Sequence, residues 1–267
     1  NPSLVGSEMC IRDSTTGETN TAVGRFALTA NTTASNNTAV GRNSLSANTT
    51  GADNTSVGTQ ALTTNSTGCR NTGMGRNALF SNTTADNNTA VGYDSLFSNT
   101  TGTLNVAIGC GALDANTTAN NNTAVGSNSL GVNTTGTANV AVGQGALDAN
   151  TTGGDHTAVG RNALGANTTS SSNAAFGGNT LATNTTGGFN TAVGYDALLS
   201  NTTASNNTSV GINSMRANTT GTANVAVGHN SLDANTTGSN NIAVGRSSLG
   251  SNTTGGTNSA FGGNALN

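Results

Sequence analysis

The chain of 267 residues contains no lysine and no tryptophan, a single proline (Pro2) and three cysteines. Only 7% of it is charged and 3% aromatic, against roughly 25% charged in an ordinary globular domain. Each scarcity removes a class of protein. The eight basic residues are all arginine and lie scattered, so no basic track exists to neutralise a nucleic-acid backbone. Without lysine there is no Gly-x-x-x-x-Gly-Lys phosphate loop. No apolar run approaches the ~20 residues of a membrane-spanning helix, and three cysteines in a chain this long do not make a disulfide framework. Large apolar side chains are too few for one compact core to offset the ordering entropy of so many residues. What abounds is asparagine (44 residues) and glycine (37). A net charge of −3 and regularly recurring Val and Leu argue against disorder. A repetitive structural protein remains.

Residues 1–14 share nothing with the rest of the chain. Leu4 to Ser14, including Met9-Cys-Ile-Arg-Asp13, resembles one reading frame of a transposase-based sequencing adapter, so residues 1–14 are expected to be non-native. From residue 15 onward the chain is one pattern, expected to be truncated at both ends. Glycine recurs from Gly24 to Gly262 at every seventeenth residue, without an insertion. Numbered from Asn20 as position 1, the unit reads Asn-Thr-Ala-Val-Gly-x-x-Ala-Leu-x-x-Asn-Thr-Thr-Gly-x-x. Position 1 is Asn in every unit but one, where His156 stands. Position 4 is always apolar, position 5 always Gly, position 9 Leu except for Met215, and positions 12 and 14 are Asn and Thr in every complete unit. Asn173-Ala-Ala-Phe-Gly-Gly returns as Asn258-Ser-Ala-Phe-Gly-Gly five units later, a mark of block duplication.

Seventeen residues are too few for a helical-hairpin repeat, and the Asn and Gly columns oppose helix. Thr-Ala-Val is a short β-branched strand ended by a Gly free to take positive φ. Ala-Leu predicts a second, tighter segment, and Asn-Thr-Thr-Gly another corner. The fold class expected is all-β: a parallel β-solenoid of about fifteen coils, about 4.8 Å apart and so roughly 70 Å in all. Stacked amides are expected to hydrogen-bond between coils. Each coil offers about two large apolar side chains, such as Val40 and Leu45, to bury. That is little against the backbone entropy, so Leu or Val columns are expected to face the axis of a homotrimer.

Asn105-Val-Ala-Ile-Gly109 and Asn139-Val-Ala-Val-Gly143 resemble the head repeats of trimeric autotransporter adhesins, which form a left-handed, trimeric parallel β-roll. Their repeat is usually fourteen residues, so seventeen is a departure. The Ala-Leu-x-x-Asn-Thr-Thr-Gly half looks more like repeats of phage tail-fibre proteins. The resemblance implies a non-enzymatic adhesive or structural fibre, located on the bacterial surface or the virion tail, with a host glycan or envelope receptor as partner.

Little in the chain suggests catalysis. His156 occupies the asparagine column and His229 the variable position 6. Cys69 and Cys110 fall in different columns, too far apart to bridge. Asp114, Asp148 and Asp233 share a column, but the first two are two coils apart, slightly beyond the span of an inverting hydrolase pair. No catalytic, cofactor or metal residue is expected. Asn-x-Thr sequons such as Asn48-Thr-Thr recur in nearly every unit, and the corner explains their regularity better than glycosylation does. The candidate surface-contact column is position 6, with Arg25, Arg42, Arg76, Tyr93, Arg161, Tyr195 and Arg246. The alternative function is ice binding, through the unbroken threonines at position 14 from Thr33 to Thr254 and those that usually precede them. If that stretch is extended, adjacent threonines face opposite ways, so only one column joins an outward array.

Overall fold

A computed structural model describes residues 16–267, so the expectation of a non-native start at residues 1–14 lies outside the described residues. The chain forms two compact units, the first ending at Thr135 and the second spanning Gly136–Asn267. The first carries seven three-residue strands: β1 Thr21–Val23, β2 Thr38–Val40, β3 Thr55–Val57, β4 Thr72–Met74, β5 Thr89–Val91, β6 Val106–Ile108 and β7 Thr123–Val125. The second carries eight: β8 Val140–Val142, β9 Thr157–Val159, β10 Ala174–Phe176, β11 Thr191–Val193, β12 Thr208–Val210, β13 Val225–Val227, β14 Ile242–Val244 and β15 Ser259–Phe261. Within each unit every strand pairs in parallel with the next, seventeen residues on, as in Thr21↔Thr38 and Thr191↔Thr208. Each unit is a parallel β-solenoid, and no helix occurs among the described residues.

The strand forms where the middle residue can point inward. Ala39, Ala90 and Ala192 are fully buried, while residues at positions 2 and 4 point outward. Position 5 then turns the chain. Gly92 has φ 137°, and a Cβ there would sit 2.5 Å from the carbonyl oxygen of Gly109 in the next coil. No L side chain fits, which explains the invariance of this column.

The mid-unit Ala-Leu segment, expected to be tighter than the strand, is part of a continuous turn. Ala61 N–H donates to Gly58 C=O and Asn65 N–H to Leu62 C=O, closing two consecutive turns. Leucine at position 9 sits in the left-handed region, with φ 50° at Leu96 and 52° at Leu198. That costs roughly 1–2 kcal/mol per residue, while full burial of a leucine side chain contributes about 1.5–3 kcal/mol. The turn is held because it delivers the largest apolar side chain of each coil to the interior.

This arrangement corrects the expected core. Leu45 is completely buried within its own coils, whereas Val40 is half-buried on the outer face. The leucine column therefore cannot face a trimer axis, and only the outward columns can meet another chain.

Two asparagine columns complete the interior, by different means. At position 12 the amides bond one another: Asn65 Nδ2 donates to Asn48 Oδ1 (3.0 Å) and to Gly68 C=O (2.9 Å). At position 1 the side chain serves the backbone: Asn54 N–H donates to Asn37 Oδ1 (3.0 Å), and Asn37 Nδ2 to Gly51 C=O (2.9 Å). The carbonyl at position 15 thus accepts two amides, as Gly51 does from Asn37 and Asn48. At four of the serines of position 8 the hydroxyl donates to a strand carbonyl of the next coil, as Ser231 does to Ala243 (2.9 Å), whereas Ser95 donates to Gly92 C=O of its own coil (3.1 Å) and the Ser129 hydroxyl is buried without a partner. The polar core is satisfied with few exceptions, as a buried amide requires.

Candidate interaction surfaces

Positions 2, 4, 6 and 14 are four of the outward columns; position 17, from Asn36 to Thr257, is also exposed in nearly every coil. Positions 2 and 4 form the outer face of each sheet, because they flank the inward residue at position 3 in a period of two. They carry Thr, Val, Ala, Ser, Ile, Met and Phe, and in none of the fifteen strands a charged residue. The exposed members include Met74, Ile108, Val140, Phe176 and Ile242. Each coil offers a strip about 10 Å wide and about 4.8 Å high, so each unit presents roughly 340–380 Å² of uncharged sheet. That is about the size of the largest patch on a typical monomer, and here threonine at position 2 interrupts it in nine of the fifteen strands.

Position 6 follows the corner glycine, and all seven residues singled out there (Arg25, Arg42, Arg76, Tyr93, Arg161, Tyr195 and Arg246) are exposed. They do not converge on one pocket. Arg25 lies 4.6 Å over the ring of its neighbour Phe26, and Arg76 lies 5.7 Å over Tyr93 of the following coil. Tyr195 folds back over Gly178, where a Cβ would stand 3.4 Å from its ring. Next to each tyrosine, Asp94 and Asp196 accept a hydrogen bond from an asparagine of the preceding coil. Asn77 donates to Asp94 (2.9 Å) and Asn179 to Asp196 (3.1 Å). Asn77 Oδ1 is buried with no donor.

No family model matches the chain, and no curated protein or solved structure shows significant similarity to it.

Positions 13 and 14 separate sharply. The hydroxyl at position 13 is used inside the stack, as Thr202 donates to Thr219 C=O (3.1 Å). The hydroxyl at position 14 is exposed in every coil from Thr33 to Thr254. The stretch is a bend rather than a strand, and only the second threonine column faces out, at a corner.

The titratable groups stay apart. Asp148 and Asp233 both belong to the second unit, but five coils separate them, and Asp114 lies in the first unit. Burial pushes all three carboxyls above their ordinary range, with Asp94 adding to the effect at Asp114. His229 is exposed, while His156 is buried within the ladder. Asn173 N–H donates to His156 Nδ1 (3.2 Å) and Nε2 lies 2.7 Å from Ser170 C=O, so the partners assign the proton to Nε2. Cys69 and Cys110 are free thiols. Among the described residues no group of His, Cys, Asp and Glu could hold a metal, and no helix is long and apolar enough to cross a membrane. The position 12 sequons are closed to glycosylation in the folded state, because Asn48 Nδ2 is buried and donates two hydrogen bonds.

Sequence reasoning passed over position 2 and the two aspartates at position 7. The alternation about Ala at position 3 was a usable signal for the first. For the aspartates, the signal was that the only two tyrosines of the chain, Tyr93 and Tyr195, are each followed by aspartate.

Proposed function

We propose that the chain is a non-enzymatic segment of an extracellular attachment fibre, on a bacterial surface or a virion tail. In this reading it self-associates through the outer faces of its sheets as a homotrimer. The observation that carries this reading is the uncharged outer face at positions 2 and 4. A strip about 10 Å wide suits a threefold axis, where position 2 of one chain meets position 4 of the next in a closed ring of contacts. The corner glycine then places the Arg and Tyr of position 6 beside that seam, where many weak contacts to an envelope receptor add up. Solution mass tests it. The 26.0 kDa chain is expected at about three times that mass by light scattering, and Val91→Glu with Val193→Glu is expected to give folded monomers. A β-rich wild type that stays monomeric at tens of micromolar sinks the trimer.

A second reading has its own observation, the outward threonines of position 14. Their hydroxyls have no hydrogen-bond partner within the chain, which leaves them free to order water or ice. A thermal-hysteresis assay decides it, and a freezing point equal to the melting point removes ice binding.

A further inference from the structure

The two tyrosines of the chain sit in the same local arrangement, once in each unit. Tyr93 and Tyr195 are 48% and 52% exposed, and the chain holds no tryptophan and no other tyrosine. Each is followed by the only aspartates found at position 7, Asp94 and Asp196. Each aspartate is held by one oxygen, which accepts from the asparagine of the coil before it. The second carboxylate oxygen has no hydrogen-bond partner within the chain. The backbone at each aspartate takes a left-handed φ, 53° at Asp94 and 55° at Asp196, in the turn that directly follows the tyrosine.

We infer that Tyr93–Asp94 and Tyr195–Asp196 are two copies of a saccharide-contact site, taking a neutral hydroxylated pyranose of a surface glycan. An exposed aromatic ring offers an apolar platform with a polar tip, which suits the C–H face of a sugar. The free carboxylate oxygen accepts from sugar hydroxyls in a charge-assisted bond. Backing on the inner side differs between the copies but leaves the ring supported in both. Arg76 lies against Tyr93, and the backbone of Gly178 lies beneath Tyr195. At Tyr93 the guanidinium already fills the cation position over the ring, which favours a neutral ligand over a cationic one.

The inference rests on the reading of the chain as an attachment fibre, and it is testable apart from oligomeric state. With no tryptophan present, tyrosine fluorescence reports only on these two sites. Folded protein is titrated with methyl α-glucoside, methyl β-galactoside and N-acetylglucosamine, with tetramethylammonium chloride as a cationic probe. At least one sugar is expected to change the emission saturably, with half-saturation on the order of millimolar, as an open, shallow site implies. Asp94→Asn with Asp196→Asn is expected to weaken that binding at least about fivefold while leaving the circular dichroism unchanged. Tyr93→Ser with Tyr195→Ser is expected to abolish saturation transfer to the sugar in NMR. Serine already occupies position 6 at Ser127, so this variant keeps its fold. No saturable response to any sugar, or a response to tetramethylammonium alone, overturns the inference. So does sugar binding that survives both double variants. A trimer that ignores sugars leaves self-association standing, and a monomer that binds them does the reverse.

Discussion

The asparagine ladder at position 12 supports a quantitative expectation at Asn99. Its Nδ2 donates to Asn82 Oδ1 (3.0 Å) and Gly102 C=O (2.9 Å), and its Oδ1 accepts from Asn116 Nδ2 (2.9 Å). In Asn99→Ala all three bonds vanish, but the consequences differ. Gly102 C=O keeps the amide of Asn88 (2.8 Å), and Asn116 keeps Ala119 C=O (3.2 Å). Asn82 Oδ1 is left buried without its donor. One orphaned acceptor and one half-satisfied donor, at about 1–3 kcal/mol per unsatisfied group, give an expected loss of about 2–4 kcal/mol. The control is Thr101→Ala in the same coil, which removes an exposed hydroxyl without a partner and is expected to change stability by less than about 0.5 kcal/mol. Urea unfolding followed by circular dichroism measures both. Stacked coils need not unfold in one step, so hydrogen exchange at Asn82–Asn116 provides the local reading. Asn99→Asp sharpens the test. It places a carboxylate against the oxygens of Asn82 and Gly102, and it is expected to be worse than alanine at pH 7 and milder at pH 4. If Asn99→Ala and Thr101→Ala prove equally mild, the ladder does not stabilise the coils and the reasoning fails.

Three further expectations rest on the same geometry. Burial holds the His156 pKa below its ordinary value of 6.5, against the opposing effects of Ser170, Asn173 and Asp155. The unfolded chain therefore takes up a proton that the folded one resists, so stability present above about pH 6.5 is lost as pH falls further. His156→Asn is expected to abolish that slope in melting curves between pH 7 and pH 5, and an unchanged slope refutes the assignment. Gly92→Ala forces a Cβ to 2.5 Å from Gly109 C=O at φ 137°. It is expected to cost at least about 2 kcal/mol from backbone strain, measured by denaturant midpoint. Leu96→Ala empties the interior and is expected to cost about 2–5 kcal/mol. Val91→Ala, on the outer face, is expected to cost under about 1 kcal/mol in monomers. Equal losses contradict the inward and outward assignment.

The ladder column at His156 shows what one departure from the repeat costs the structure. Asn167 Nδ2 lies 3.1 Å from His156 Nε2, and with the Nε2 proton directed at Ser170 C=O these are two donors facing each other. An amide in this column has one donating and one accepting end, which an imidazole reproduces only in its neutral form. The repeat's preference for asparagine is therefore a hydrogen-bonding requirement, legible from the column itself. The leucine column carried no such message. Leucine at a left-handed turn contradicts local preference, so propensity alone did not reveal that conformation.

Much of the protein was determined by its sequence alone. An unbroken period of seventeen, with Gly and Asn in register, dictates parallel coils, because only identical coils stacked in register place glycine on glycine and amide on amide. The strand positions follow from β-branched residues around a small inward alanine. The exposure of position 6 was also legible, since one column collected five of the eight arginines. Only the tertiary structure decided which apolar column forms the interior. Valine and leucine are both apolar, and the choice between their columns depends on a turn whose backbone leaves the common regions of φ. It likewise decided which threonine faces out, and that the aspartate after each tyrosine is held by an asparagine of the neighbouring coil. Such pairings join residues seventeen apart through side-chain direction, a property that the period announces but does not specify.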